Sequence, residues 1–579
     1  MARKSKISGL RRSLLALAAC LLFAVIAPIY FSDRRSDEPF AIASVMASPQ
    51  DLHIITLPSR LSAAPDILLS QGVGYVYGSS PGAHGSNIIL DNPVFTFNAA
   101  GLRAMAPGDG GHAQPELLAP VIEQIATLGF DRMVVRRGTV HITASDGTIE
   151  TITDVQAEVT GRKKGLVAAR GTFSYRGQRL AFDATVGQAA DKKLPFRWPF
   201  KAAVKGTLIT ASFDGHVDVA ADVQLAGEAE LATPNLRRVG RWFNLPLHNA
   251  DGFNETSAKG QFTWARRSLE FEKVKVTLDG NEGNGRMALN TDGDRPQLDA
   301  TLDFATLNLD PYLDSTRALI LGFDLPSAYW SGVDLSLPSI RHIDADLRIS
   351  ARKVMIRKTA LGRGGATITA KAGKLQADLT ELEVHGGTAS GQVTVIMSEP
   401  VPRYAMRGKL ENVDAGAAST MLLGSPGLIG RANVTAELTS TGYAIQEIMR
   451  RLSGRLALLV PEGRAALDLK TLGQAGPTDG APDAKTKAST PVEKLEARAL
   501  VIDGVAFADS VQARAGNKEI SAFGRIGLAD GNMEVRLVMK SPPAGGAASG
   551  QFTSETVIVR GPWQSPVVRS EDAEAAGQR

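Results

Sequence analysis

Residues 274–310 read VKVTLDGNEGNGRMALNTDGDRPQLDATLDFATLNLD, and residues 382–414 read LEVHGGTASGQVTVIMSEPVPRYAMRGKLENVD. Both follow one template. An alternating strand leads into a glycine turn, between Gly280 and Gly285 in the first copy and between Gly386 and Gly391 in the second. A second strand follows, then a turn at Arg295-Pro296 or Val401-Pro402. A third strand, 298–304 or 404–410, closes the unit before Asn-Leu-Asp or Asn-Val-Asp. A weaker copy runs over 511–539, where Gly524 matches Gly285 and Gly391. Repeated strand meanders build long, quasi-one-dimensional sheets. Such sheets offer a surface rather than a site.

The same alternation extends outward in both directions. Val73, Tyr75 and Tyr77 alternate, as do Phe95 and Phe97, then Val140 and Ile142 before a turn at Ser145-Asp146-Gly147. Val155, Ala157 and Val159 share one side of their strand, and Leu180, Phe182, Ala184 and Val186 one side of theirs. Residues 217–225 read as one strand, with Val217, Val219, Ala221, Val223 and Leu225 on its apolar side. A period of two sets one side of each strand on apolar ground and the other in water. Helices are few. They are expected over 115–128, over 234–243, after Asp310-Pro311 and over 443–452.

The resulting organisation is a basic N-terminus (1–12), an apolar run (13–32), a stalk (33–66), an N-terminal β-region (67–260), central β-repeats (261–472), a disordered loop (473–490), a C-terminal β-repeat (491–568) and a polar tail (569–579). The loop is read from its linker composition, GQAGPTDGAPDAKTKAST.

The uncharged run 13–32 contains Leu14, Leu15, Leu17, Leu21, Leu22, Phe23, Val25 and Ile26. About 19 helical residues span roughly 28 Å, close to a bilayer core. Five bases precede it (Arg3, Lys4, Lys6, Arg11 and Arg12), so the bulk of the chain is expected outside the cytoplasm. An uncleaved signal anchor is preferred over a cleaved signal peptide, because residues 28–31 are bulky where a cleavage site would be small. It is also preferred over a lipoprotein. Leu17-Ala18-Ala19-Cys20 resembles a lipobox, but the apolar run continues past Cys20.

Composition narrows the function classes. The chain of 579 residues is 44% hydrophobic but only 6% aromatic, with 58 glycines, which is too apolar for wholesale disorder. Net charge is +4, with bases scattered among nearly as many acids. A nucleic-acid binder gathers a basic face with interleaved aromatics, so no nucleic-acid partner is expected. The single cysteine, Cys20, rules out an intrachain disulfide and a Cys-based metal site. The eight histidines form no HExxH motif or close pair. Gly362-Arg363-Gly364-Gly365 lacks the Lys-Ser/Thr and strand-to-helix setting of a phosphate loop. Asp344 and Asp346 alternate on one strand face and read as a solvated pair. No G-x-S-x-G elbow is present in a strand-turn-helix setting. Neither an enzyme nor a cofactor is expected.

What covers so many apolar strand faces is the central question. A sandwich or barrel covers them with more sheet. A twisted sheet curled into a groove leaves them to a ligand, and a large exposed apolar face marks a lipid or protein binding surface. Alternation is compatible with both.

Four stretches beside the N-terminal run carry a resemblance. They are VVRRGTVHITASDGTIETITDVQAEVTG (134–161) with GTFSYRGQRLAFDATVG (171–187), GNGRMALNTDGDRPQLDATLDFATLNLDPYL (283–313), LSGRLALLVPEGRAALDLKTL (452–472) and VIVRGPWQSPVV (557–568). In this order the chain resembles the AsmA-like family of inner-membrane-anchored periplasmic proteins of Gram-negative bacteria, themselves similar to bridge-like lipid-transfer proteins. Residues 33–130 match that pattern poorly. The resemblance implies a mainly β fold: an N-terminal transmembrane helix, then a long, twisted, repeat-built antiparallel sheet curled into an apolar groove, with a few short helices. It implies phospholipids or other diacyl lipids and the inner membrane as partners, and phospholipid traffic between inner and outer membranes. Leu180, Phe182, Val274, Val276, Leu278, Leu298, Leu302 and Phe304 are the expected lining, though the same positions would serve as a sandwich core. The alternative role is a periplasmic β-rich scaffold that binds an outer-membrane or envelope assembly protein through its edge strands.

Overall fold

The computed structural model describes residues 52–56, 61–64, 67–77, 86–98, 130–143, 149–162, 166–187, 196–219, 223–243, 247, 252–265, 268–290, 295–313, 338–341, 343–356, 359–397, 400–423, 428–465, 490–541, 553–562 and 567–570. The apolar run 13–32, the helix expected over 115–128 and most of the loop 473–490 lie outside them. Among the described residues, strand takes up 77% and helix 7%, and no closed barrel forms. The helices among the described residues are too few to lay a second layer over these strands. No helix among the described residues is long and apolar enough to cross a membrane.

The chain divides into two compact units. The first comprises Met1–Pro246, Asn254–Gly280 and Asn284–Ala300; the second Leu247–Phe253, Asn281–Gly283 and Thr301–Arg579.

In the first unit, consecutive strands pair antiparallel from Phe130–Thr143 through Ser268–Leu278. One pair departs from the expected antiparallel scheme. Ser86–Asn98 lies parallel to Phe130–Thr143. A parallel pair needs a crossover of roughly a dozen residues or more, and the connection 99–129 is long enough. Part of the segment read as stalk is also sheet: Leu52–Thr56 and Leu61–Ala64 both pair with Ile67–Tyr77. The single strand expected over 217–225 is instead a hairpin of Thr210–Val219 and Val223–Thr233. Val219 opposes Val223 across it, so both keep the same face. An odd-numbered connection preserves the period of two through the turn, which hid the hairpin.

The apolar face of this unit is filled by its own side chains. Phe200, Gly215, Gly227, Phe262 and Phe271 succeed one another across five strands. The Phe213 ring lies over the glycine floor: a Cβ on Gly215 would stand 2.9 Å from its Cζ. Phe200, Phe213, Phe262 and Phe271 form a chain of rings with centroids 5.8, 6.1 and 5.1 Å apart, within the range of favourable aromatic pairs. At one strand end the helix Leu236–Trp242, capped by the Asn235 side chain, sets Trp242 edge-on to Tyr175.

The hairpins that build both units share one turn. Arg176-Gly177, Asp279-Gly280, Ala372-Gly373, His385-Gly386 and Asp503-Gly504 have positive φ at both residues. That is the two-residue turn whose twist matches the flanking strands, and its second position favours glycine. The glycine turns of the two quoted repeats are therefore only Asp279-Gly280 and His385-Gly386. Gly283 and Gly285 lie within strand Asn281–Asn290, and Gly387 and Gly391 within Gly387–Ile396.

In the second unit, twelve strands pair in antiparallel succession, from Asp344–Ala351 and Gly364–Lys371 to Asn532–Ser541 and Thr553–Pro562. Bulges interrupt the register at Leu379/Leu382, Leu410/Val413, Arg498/Ala499 and Phe507/Val511. Bulges bend a strand and increase its twist. Helices Asp310–Leu313 and Ile445–Arg450 form where expected. Helix Ala415–Leu423 and the 3-10 turn Pro338–Arg341 were not anticipated. Thr490, assigned to the loop, starts the strand Thr490–Val492, and residues 569 and 570 of the tail end the strand Val567–Ser570.

Gly227 tests the filled face. A Cβ there would lie 2.4 Å from the Asp214 carbonyl oxygen and 2.6 Å from Gly215 Cα. Gly227→Val should destabilise the first unit by at least about 2 kcal/mol, the scale of overpacking a filled interior. Urea denaturation reads this as a lower midpoint; an unchanged midpoint contradicts the close approach.

Candidate functional site

The second unit treats its apolar face differently. Following the register from strand to strand, Leu347 opposes Ile368, which opposes Ala377, then Val393, Met406, Leu438 and Gly454. The row continues through Val501, Ala506, Ile526, Met533 and Gly561. No polar side chain interrupts it across twelve strands, roughly 50 Å at the usual strand spacing. A second row two residues along runs Ile349, Ala366, Leu379, Gly391, Gly408, Ala436, Leu456 and Ala499.

Both ends of the early strands are capped. At one end Ile340, from the 3-10 turn, packs with Ala370, Val395 and Met397, with Leu375 and Tyr404 against them. At the other end Phe304, Ala351, Val354 and Leu361 form a buried cluster that also holds Leu302, Leu382 and Val384. Further along, Ser440 Oγ donates to the Ile448 carbonyl at 2.6 Å and ties helix Ile445–Arg450 to a strand end. Between the caps the floor is open around Val393, Met406 and Gly408, whereas further along the same row Val501 and Ala506 are buried. Val393 and Met406 oppose each other on the apolar face and are 40% and 39% exposed. A Cβ on Gly408 would meet no atom within 4 Å. The arrangement is an aliphatic sheet face, open around Val393 and Met406 and flanked by apolar clusters at the strand ends, hereafter labelled the gutter.

The opposite face carries cross-strand ion pairs in both units. Glu158 accepts from Arg170 and Arg132, Lys259 reaches Glu228 and Glu230, and Arg363 reaches Glu383. Hydrogen bonds from Arg170, then Arg132, hold the Glu158 carboxyl below the ordinary carboxylate range. Its contribution to stability is therefore present above the unfolded value and lost as pH falls through the lowered folded one. These exposed pairs define the solvent side and add little stability.

All eight expected lining residues lie on the apolar faces of their strands. Leu180, Phe182, Val274, Val276 and Phe304 are buried, while Leu278, Leu298 and Leu302 are half-buried. Phe304 belongs to a capping cluster, with its ring over Gly283. Sequence reasoning passed over Val393, Met406 and Gly408. Their signal was the low side-chain volume of GTASG (387–391) and the glycine of MRGK (406–409). The eight anchor residues, from Leu14 to Ile26, lie outside the described residues. Among the described residues no cluster of His, Cys, Asp or Glu could hold a metal ion.

Comparison with known proteins identifies no relative: no family model, curated protein or solved structure matches the chain.

Closed and open faces respond differently to truncation. Phe200→Ala should cost about 3–5 kcal/mol, as a buried ring is lost and a cavity left. Met406→Ala should cost less than about 1 kcal/mol, because Met406 is already half in solvent. Chemical denaturation checks both, and equal costs contradict the distinction.

Proposed function

We propose that the protein handles lipids, shielding acyl chains in the gutter of the second unit and acting in phospholipid transport between two membranes. The observation that carries this reading is the open, uninterrupted aliphatic row around Val393, Met406 and Gly408. Its chemistry favours one kind of occupant. The strands under the gutter are paired on both sides, so apart from the bulges at Leu379/Leu382 and Leu410/Val413 their backbone groups are taken up in the ladder. A bound peptide strand would need an edge, whereas an acyl chain needs only apolar contact. A diacyl lipid with on the order of 30 methylenes would lose roughly 24 kcal/mol if fully hydrated, at about 0.8 kcal/mol per methylene. Partial cover by a gutter removes much of that barrier. The sequence resemblance to AsmA-like proteins supports the same reading. With it, the run 13–32 acts as an inner-membrane anchor and the described units lie in the periplasm.

The test is mass spectrometry of lipid bound to the purified full-length chain. Gly408→Trp should fill the gutter, and Met406→Glu should charge it. Each should reduce bound phospholipid several-fold while leaving the denaturation midpoint close to that of the parent. Phe304→Glu is the contrasting variant, because it places a charge in a capping cluster and should unfold the second unit locally. Undiminished phospholipid in the first two variants would overturn the proposal.

A further inference from the structure

The ion-paired side of the second unit carries a second surface. On strands 494–502, 505–515 and 518–527 the apolar residues Leu500, Ile502, Phe507 and Phe523 stand exposed among charges, Phe523 at 55%. They lie opposite the gutter. Val501 and Ala506, in the gutter row, are their buried neighbours along the chain. The register draws them together: Leu500 opposes Phe507, Ile502 opposes Val505, and Phe507 opposes Arg525.

The charges around them are unbalanced. Arg455 opposes Leu500, and Arg536 opposes Phe523. Arg498 and Lys494 share one acid, Glu496, at 2.8 and 3.2 Å. Arg525 and Arg560 share another, Glu534, at 3.2 and 3.0 Å. Glu437 opposes Arg455 and Arg514 pairs with Glu519 on the same face, and with these counted the bases still outnumber the acids there. Bases that look evenly mixed with acids along the chain are gathered by the strand register into one apolar-studded basic patch.

From this charge complementarity we infer that the face seats on an anionic lipid surface. Arginines meet the headgroups, while Leu500, Ile502, Phe507 and Phe523 enter the boundary beneath them. Amphipathic surfaces bind in this way, through buried apolar area together with attraction to anionic lipid. Against a zwitterionic bilayer the arginines gain no net attraction. The inference stands apart from the gutter, since none of these residues lines it.

A fluorophore reports the contact locally, whatever else in the chain touches membrane. Full-length protein carrying Cys20→Ser and Ser521→Cys would be labelled with an environment-sensitive dye. Position 521 is on the same face as Phe523 and leaves the patch intact. A control would carry the dye at Thr394→Cys, on the outward side of strand Gly387–Ile396 and remote from the patch in the strand order. Vesicles containing phosphatidylglycerol should blue-shift the dye at 521 and not at 394, and pure phosphatidylcholine vesicles should shift neither. High salt should reverse the shift. Arg525→Glu with Arg536→Glu should abolish most of it, as should Phe507→Ser with Phe523→Ser. Lipid bound in the gutter should be unchanged in these variants, which separates this test from that of the gutter. No shift with anionic vesicles overturns the inference. So does an equal shift with zwitterionic vesicles, a shift on adding single-stranded nucleic acid alone, or one that rises with protein concentration without vesicles.

Discussion

Most of the described strands satisfy their backbones sideways, through their neighbours, and that leaves one apolar face per strand which pairing cannot cover. The architecture depends on how that face is dealt with. Helix is too scarce to roof it, and no barrel closes over it among the described residues. Among the described residues, cover comes from side chains reaching along the sheet and from short caps at strand ends.

The two units resolve this constraint differently through a simple change of residue type. In the first, glycines at Gly215 and Gly227 lower the floor and phenylalanines lie across it, so the face buries itself. In the second, the corresponding rows hold Ala, Val, Leu, Ile, Met and Gly and no aromatic ring, and Val393 and Met406 stay exposed. Caps at the ends, such as Ile340 and Phe304, bury the rims and leave the middle open. The same glycine that makes room for a ring at Gly215 or Gly283 makes an empty step at Gly408. The proposed shielding of a long aliphatic chain rests on this difference.

Much of the fold was legible beforehand. Alternation located most strands, and the repeats at 274–310 and 382–414 have the three-strand plan read from them. The two-residue turns follow from Asp-Gly and His-Gly pairs. What could not be read was which apolar positions stay open. Openness is a property of register rows that join residues as far apart as Leu347 and Met533. Large apolar side chains, the natural choice for a lining, are those that end up buried, as at Phe182, Val274 and Phe304. The basic patch was invisible for the same reason: Arg498 and Arg525 each stand near acids in sequence, and only the pairing of strands sets Phe507 and Phe523 among them. The pairing of Thr210–Val219 with Val223–Thr233 was missed because the alternation keeps its parity from one strand to the next.

The most direct test of an open, lipid-holding gutter is a photocrosslinking comparison between two positions. Benzoylphenylalanine would be placed at Met406, on the open floor, and at Phe200, in the filled face, in full-length protein in its native membranes. Irradiation followed by mass spectrometry should give phospholipid adducts at 406 and none at 200. Adducts to protein at 406, or no lipid at either position, would contradict the account.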